Sequence, residues 1–239
     1  MSTALPANAH VSKHPCTRAK LSQLRSHTTN ARETKLLIHE IATIVGCEAL
    51  ASCVEAVEDG TDVSPLNYEF ERQTISPQRI SLVPILRSGL SMTDALLAIL
   101  PFPVPVHHLG LYREKSTLQP VEYYNNLPYH RPPPEELGDH SHHVEGNAAA
   151  SELAIVVDPV IATGSTMCAA IETLRDWGVK RIVCISVLAS EGGLRRACEE
   201  GGDGVEIWAG GVDAETDAKG MIKPGLGDVG DRLFLTLGK

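Results

Sequence analysis

The sequence predicts an α/β fold built on a largely parallel sheet. Three observations lead there. Ile80 to Leu86, Ala154 to Val157 and Arg181 to Leu188 are compact, strongly apolar runs of strand length, as strands covered on both faces are. The first two lead into apolar residues at helical spacing: Leu90, Leu96, Leu97, Ile99 and Leu100 in one case, and Met167, Ala170, Ile171, Leu174 and Trp177 in the other. Alternation of buried strand and helix is the pattern of βαβ crossovers and a parallel sheet. Arg87, Arg113 and Asp158 stand where candidate strands end, and ligands of such sheets bind at the strands' carboxyl ends.

In chain order, the first thirty residues are basic and polar and read as an arm. Thr29 to about Val57 reads as helix, with Leu36, Leu37, Ile41, Ile44, Val45 and Leu50 in register and no proline inside. The strand Ile80 to Leu86 ends in Arg87-Ser88-Gly89, and Pro101 stops the helix that follows. Val104 to Leu111 is a candidate strand, and Tyr123-Tyr124 a short β excursion. From Pro128 to Ser151 the composition shifts to prolines, charges and histidines without periodicity, which predicts an exposed, flexible insertion. His140, His142 and His143 fall there and read as solvated side chains, not as a zinc site. After the strand ending at Val157 and its helix come a strand at Arg181 to Leu188, a helix at Gly192 to Glu200 and a short strand at Val205 to Trp208.

Hydrophobic residues make up 43% of the 239, enough for one packed domain. The formal net charge of −9 argues against a nucleic-acid-binding surface, though not against a small anion pocket. No signal-peptide pattern and no apolar run of bilayer length is present, so no membrane partner is expected. The six cysteines lack paired C-x-x-C spacing and read as free thiols of a reducing compartment. A cytoplasmic enzyme or binding protein is the expectation.

The stretch VVDPVIATGSTM, Val156 to Met167, concentrates the chemistry. A helix N-terminus offers unpaired N–H groups and the positive end of the dipole. A preceding loop of small residues lets those groups converge on a phosphate. Thr163, Ser165 and Thr166 can add hydroxyl donors. A carboxylate would repel that phosphate, so Asp158 faces either ribose hydroxyls or a magnesium ion through water. The loop alone fits an ordinary strand-turn-helix joint with Ser165 or Thr166 as N-cap almost as well. It is not a Walker A loop. Gly225-Leu226-Gly227-Asp228-Val229-Gly230 matches G-x-G-x-x-G, but nine residues after Gly230 leave no room for a crossover, so NAD binding is rejected.

Four stretches, LVPILRSGLSMTDAL, LYREKSTLQPVEYY, IVVDPVIATGSTM and GMIKPGLGDVGDRLF, with HPCTRAKLSQLR near the start, resemble the uracil phosphoribosyltransferase family. The likeness covers nearly the whole chain except Pro128 to Ser151. The diphosphate-ribose loop would fit any phosphoribosyltransferase; PGLGDVGDR narrows the likeness to the uracil branch. The resemblance implies a phosphoribosyltransferase-like parallel sheet flanked by helices, with a small hood and an N-terminal helical arm. It implies one domain over 1–239, with the arm at 1–28, the insertion at 128–151 and part of the base-binding hood at 209–232. It implies transfer of ribose 5-phosphate from 5-phosphoribosyl 1-diphosphate (PRPP) to uracil, giving UMP and diphosphate in pyrimidine salvage.

Carried over by position, Asp158, Pro159, Val160, Ile161, Ala162, Thr163, Gly164, Ser165 and Thr166 form the PRPP loop. Asp158 meets the ribose hydroxyls, and Ala162 to Thr166 wrap the 5-phosphate. Arg87 and Arg113 contact the diphosphate. Ile222, Gly227, Asp228 and Val229 line the uracil site, with Asp228 also near ribose and metal. Asp158, Asp228 and Arg113 are the candidate catalytic residues. Mg2+ is the implied cofactor, held through PRPP and water without direct protein ligands. A homodimer or homotetramer and GTP as effector complete the implied partners. The chain departs from the family pattern at Ser165, where glycine is usual, at Val229 for alanine, at Leu235 for glycine and at Cys47 for tyrosine. Serine fits its place only with a negative φ. The last two departures are expected to touch packing. The alternative function is a catalytically weakened homologue acting as a ligand-binding or regulatory protein.

Overall fold

The structure is a computed structural model and describes residues 4–114, 119–128 and 150–236. The chain opens with β1 (Ala9–Val11) and α1 (Pro15–Leu24), whose first turn carries Pro15 where a missing N–H costs nothing. Next comes α2 (Ala31–Cys53), opened by a reciprocal cap: the Asn30 side chain accepts from the Glu33 N–H, and the Glu33 carboxylate accepts from the Asn30 N–H. Among the described helices, α2 alone has the length and apolar composition to cross a membrane. Here its Leu37, Ile38, Ile41 and Val45 are buried in the core, each contributing roughly 1.5–3 kcal/mol.

The helix ends four residues before the predicted limit, because Val54 turns to extended φ and ψ. The chain continues as a hairpin, β2 (Glu55–Val63) with β3 (Glu69–Ser76). That hairpin escapes sequence reading because its residues are exposed on both faces, which leaves no period-2 apolar signal.

The central elements follow: β4 (Ile80–Leu86), α3 (Leu90–Ile99), β5 (Leu109–Arg113) and β6 (Pro120–Asn125). The candidate strand Val104 to Leu111 is therefore displaced toward its end, with Val106 making only an isolated bridge to Leu82. The Tyr123-Tyr124 excursion is a full edge strand. Then come β7 (Leu153–Val157), β8 (Val160–Ile161), α4 (Ser165–Asp176), β9 (Arg181–Ser186), β10 (Leu188–Ser190), α5 (Glu191–Gly201) and β11 (Val205–Ala209). Three two-residue strands, β12 (Val212–Asp213), β13 (Glu215–Thr216) and β14 (Ile222–Lys223), lead to the closing helix α6 (Val229–Phe234).

Seven strands form the main sheet in the order β1-β11-β9-β7-β4-β5-β6. Every neighbouring pair is parallel except β5 with β6. The arm is thus built into the sheet through β1, which at three residues was too short to read. On β7, Leu153, Ile155 and Val157 join the core shared with α1, α2 and α3, while Ala154 and Val156 join the core shared with α4 and α5. That alternation explains an unbroken apolar run: both faces are covered. From β4 the chain crosses through α3 to β5, and from β7 it crosses through α4 to β9 on the other side. The winding direction reverses between β4 and β7, which opens a crevice at their carboxyl ends.

The six cysteines are free thiols, as expected, with Cys53, Cys184 and Cys198 buried. Residues 129–149 of the predicted insertion, with its three clustered histidines, lie outside the described residues. Two expectations about packing are corrected. Cys47 is exposed on α2, so it replaces no core side chain. Leu235 is 74% exposed and adopts φ 54°. Glycine suits that position because the backbone is left-handed there.

Candidate active site

The crevice between β4 and β7 holds a cleft of about 340 Å³. Its floor comes from Ile85 to Ser88 at the end of β4 and from Asp158 at the end of β7. Tyr112 and Tyr123 from β5 and β6 flank one side, and Met221 with Gly227 to Gly230 closes another. A second hollow of about 70 Å³ lies inside the loop from Asp158 to Met167. Asp158, Val160 and Thr166 line both, so one extended ligand can occupy the two together.

A larger hollow of about 540 Å³ opens near the amino ends of β9 and β11, around Asn8, Arg181 and Gly202 to Val205. There α5 ends rather than begins, so the helix dipole disfavours an anion.

Asp158 is 9% exposed and accepts a 2.9 Å hydrogen bond from the Ser88 hydroxyl. Burial pushes its carboxyl from the ordinary 3.8 up to about 7, against the opposing pull of the Ser88 hydroxyl and the Val160 N–H. The group is therefore poised between neutral and ionised near pH 7. Among the described residues no three His, Cys, Asp or Glu side chains converge as a metal site. Asp158 and Asp228 both line the cleft, a carboxylate setting compatible with the expected magnesium held through substrate phosphates and water rather than by direct protein ligands.

The phosphate loop is shaped by Gly164, which caps α4 at φ 80°. A Cβ there would stand 2.6 Å from the Gly193 carbonyl oxygen. The loop is braced from behind: the Ser190 hydroxyl donates to the Ala162 carbonyl at 2.5 Å and accepts from the Gly193 N–H at 2.8 Å. Ser165 is the first residue of α4, and its φ is not positive; among the described non-glycine residues only Asn67 and Leu235 have that sign. Serine thus meets the condition set by the sequence. Its hydroxyl lies 2.9 Å from that of Thr163.

Of the other expected residues, Arg87 lines the cleft, its guanidinium 5.5 Å from the Phe234 ring centroid. Arg113 closes β5 on the same edge of the sheet. Ala162 and Thr163 line the small hollow together with Val160, Ile161 and Gly164. The Pro159 carbonyl accepts from Val187 and Leu188 and ties the loop to β10. Gly227, Asp228 and Val229 line the large cleft. Asp228 also caps α6, accepting from the Asp231 N–H. Ile222 lines neither hollow; its side chain packs into the core, and its neighbour Met221 reaches the cleft.

Sequence reasoning missed Ser88, Tyr112, Tyr123 and the Ser190–Gly193 brace. Ser88 had a signal, its place directly after a strand-ending arginine. The brace had none, since it joins loops whose proximity depends on the β8–β10 pairing.

The family model for uracil phosphoribosyltransferase matches residues 11–236. The chain belongs to the uracil phosphoribosyltransferase family. A putative uracil phosphoribosyltransferase, urg2, of Schizosaccharomyces pombe is 37% identical over 95% of this chain and 90% of its own length. The uracil phosphoribosyltransferase of Roseiflexus castenholzii is 38% identical over 95% of this chain and 97% of its own. The solved structure of the AQ2163 protein of Aquifex aeolicus superposes with a TM-score of 0.80 at 28% identity, covering 95% of this chain and 98% of that one. Within a uracil phosphoribosyltransferase frame, the matched region includes all the described walls of both hollows.

Ser165→Gly is expected to keep UMP formation within about threefold of the parent, because Ser165 carries no backbone strain to relieve. Stability should fall by roughly 0.5–1 kcal/mol through unfolded-state entropy and the lost Thr163 contact. Steady-state rates and urea midpoints test this. Abolished turnover would mean that the hydroxyl itself serves the ligand.

Proposed function

We propose that this chain transfers ribose 5-phosphate from PRPP to uracil, releasing diphosphate and forming UMP. The observation that carries the reading is the continuity of the two hollows through Asp158, Val160 and Thr166. PRPP is an extended anion, and its 5-phosphate suits the small hollow at the N-terminus of α4. N–H groups of the Gly164 to Thr166 turn and the helix dipole suit such a charge. Asp158 then accepts from the ribose hydroxyls, a role for which a buried, hydrogen-bonded carboxyl is preorganised.

As the bond from C1 to the diphosphate oxygen breaks, the ribose gains oxocarbenium character and negative charge builds on the leaving group. Arg87 and Arg113, each assigned from its place at the end of a strand, stabilise that charge. Magnesium, when bound with PRPP beside Asp158 and Asp228, would neutralise part of the diphosphate charge. Uracil held against Gly227 to Val229 presents N1 to C1, so positioning supplies much of the remaining rate. No covalent enzyme intermediate is needed.

On family likeness, the reading extends to a cytoplasmic setting, GTP as effector and a homodimer or homotetramer. The exposed Val63, Leu66, Tyr68 and Phe70 on and around the β2–β3 hairpin support self-association, since a lone two-stranded hairpin is marginal in water.

The test is a competition among uracil, 5-fluorouracil and cytosine, each with PRPP and magnesium. The turn at Gly225 to Val229 lets backbone come close to a flat base. Uracil offers an acceptor at O4 and a donor at N3, and cytosine reverses both. Two buried mismatches cost about 1–3 kcal/mol each. Uracil and 5-fluorouracil should be used, and cytosine at under about a tenth of the uracil rate. Cytosine within tenfold of uracil would overturn backbone readout by this turn.

A further inference from the structure

We propose that Arg25 and Asp213 are positioning residues for the base: their ion pair fixes the turn that faces uracil. This rests on the assignment of Gly227 to Val229 to the uracil site. Arg25 follows α1 as its C-cap, and Asp213 ends β12 at 9% exposure. The two terminal nitrogens of Arg25 donate to the two carboxylate oxygens of Asp213 at 2.7 and 2.6 Å. The same pair captures both backbone polar groups of Gly225. Arg25 Nη1 donates to the Gly225 carbonyl at 2.9 Å, and the Gly225 N–H donates to Asp213 Oδ2 at 3.0 Å.

One residue further on, Arg232 Nη1 donates to the Leu226 carbonyl and to the Leu24 carbonyl, both at 2.8 Å. The turn is thus held from outside by α1 and from within by α6. Gly225 and Gly227 both adopt positive φ, at 62° and 71°, so the turn has little conformational preference of its own to keep it in place. The planar guanidinium fork holds both carboxylate oxygens and the carbonyl in one fixed geometry, which the compact, rotating donors of an ammonium do not impose.

Arg25 and Asp213 line neither hollow. Neither side chain bonds to Arg87, Asp158 or the α4 loop, the groups assigned to the phosphates and ribose of PRPP. Their effect on the reaction therefore falls mainly on the base half of the site, and reaches the ribose side only through Asp228 at the end of the turn. If losing the pair leaves the turn correctly placed a tenth of the time, the apparent affinity for uracil falls about tenfold, while the affinity for PRPP, held chiefly by the other loops, falls much less.

The experiment compares Arg25→Gln, Asp213→Asn and Arg25→Lys with the parent in full-length protein, varying uracil and PRPP in turn. The expected result is a rise of about tenfold in KM for uracil in the first two, with KM for PRPP and kcat within about threefold. Arg25→Lys, which keeps the charge but not the fork, should fall between them and the parent, and it carries the test if either of the others fails to fold. Equal changes in both KM values, or none in the folded variants, would overturn the positioning role. Val229→Phe separates this from the reading beneath it. If Val229→Phe raises KM for uracil and the pair variants do not, the base site stands and the positioning role is lost. If Val229→Phe leaves that KM unchanged, the base site is elsewhere and both fall.

Discussion

Asp158→Asn is expected to lower kcat by about a hundredfold and, in the ligand-free protein, to raise stability above neutral pH. The first effect follows from losing one charged contact to the reacting ribose, worth on the order of 3 kcal/mol. The second follows from burial. The Asp158 carboxyl is raised from 3.8 to about 7 in the folded chain, so the folded state binds that proton more tightly than the unfolded state. Its contribution favours folding below about pH 4, is lost as pH rises through 7, and levels off above that, a swing on the order of 4 kcal/mol. Asparagine keeps the shape and the Ser88 partner without this titration. Urea midpoints at about pH 4, 6 and 8 should show the variant gaining on the parent as pH rises. Near-normal turnover would sink the catalytic assignment, and a stability gap independent of pH would sink the burial argument.

Gly164→Ala should damage the phosphate half of the site and spare the base half. Alanine at φ 80° is strained wherever it stands, at roughly 1–2 kcal/mol. Here its Cβ also falls 2.6 Å from the Gly193 carbonyl oxygen. That oxygen cannot swing aside as a side chain would, because Gly193 is tied through Ser190 to Ala162, in the same loop. The loop must therefore move. A displacement that costs each of two phosphate hydrogen bonds about 1 kcal/mol raises KM for PRPP roughly thirtyfold. KM for uracil should change by less than about threefold. Equal loss for both substrates would show that the variant has collapsed the whole site.

The buried half of the fold was legible, and so was the chemistry that the buried strands deliver. Ile80 to Leu86, Ala154 to Val157 and Arg181 to Leu188 read as strands because a doubly covered sheet accommodates such short apolar runs, and Arg87 and Asp158 followed from where two of those runs stop. The expectation for Ser165 reduced to the sign of one angle, which the structure supplies. The β2–β3 hairpin was illegible because residues exposed on both faces leave no pattern. Val54 likewise gave no warning that α2 had ended, as β-branched residues occur in both states and no glycine or proline marks the break. The bonds of Ser190 to Ala162 and of Arg25 to Gly225 join residues far apart in sequence, and no local signal records such pairs.

Those long-range bonds also set a timetable. Arg25 and Arg232 bond across separations of 200 and 208 residues, to Gly225 and Leu24 respectively. At roughly 5–20 residues per second on the ribosome, α1 emerges some tens of seconds before the turn it must grip. β4, β7 and the phosphate loop are translated in that interval, ahead of the turn that faces the base. Until β12 and the turn after it have been made, Arg25 has no Asp213 to pair with or Gly225 to hold. On the proposed reading, the turn from Gly225 to Val229 thus converts a general sugar-phosphate cradle into a site that distinguishes one base from another.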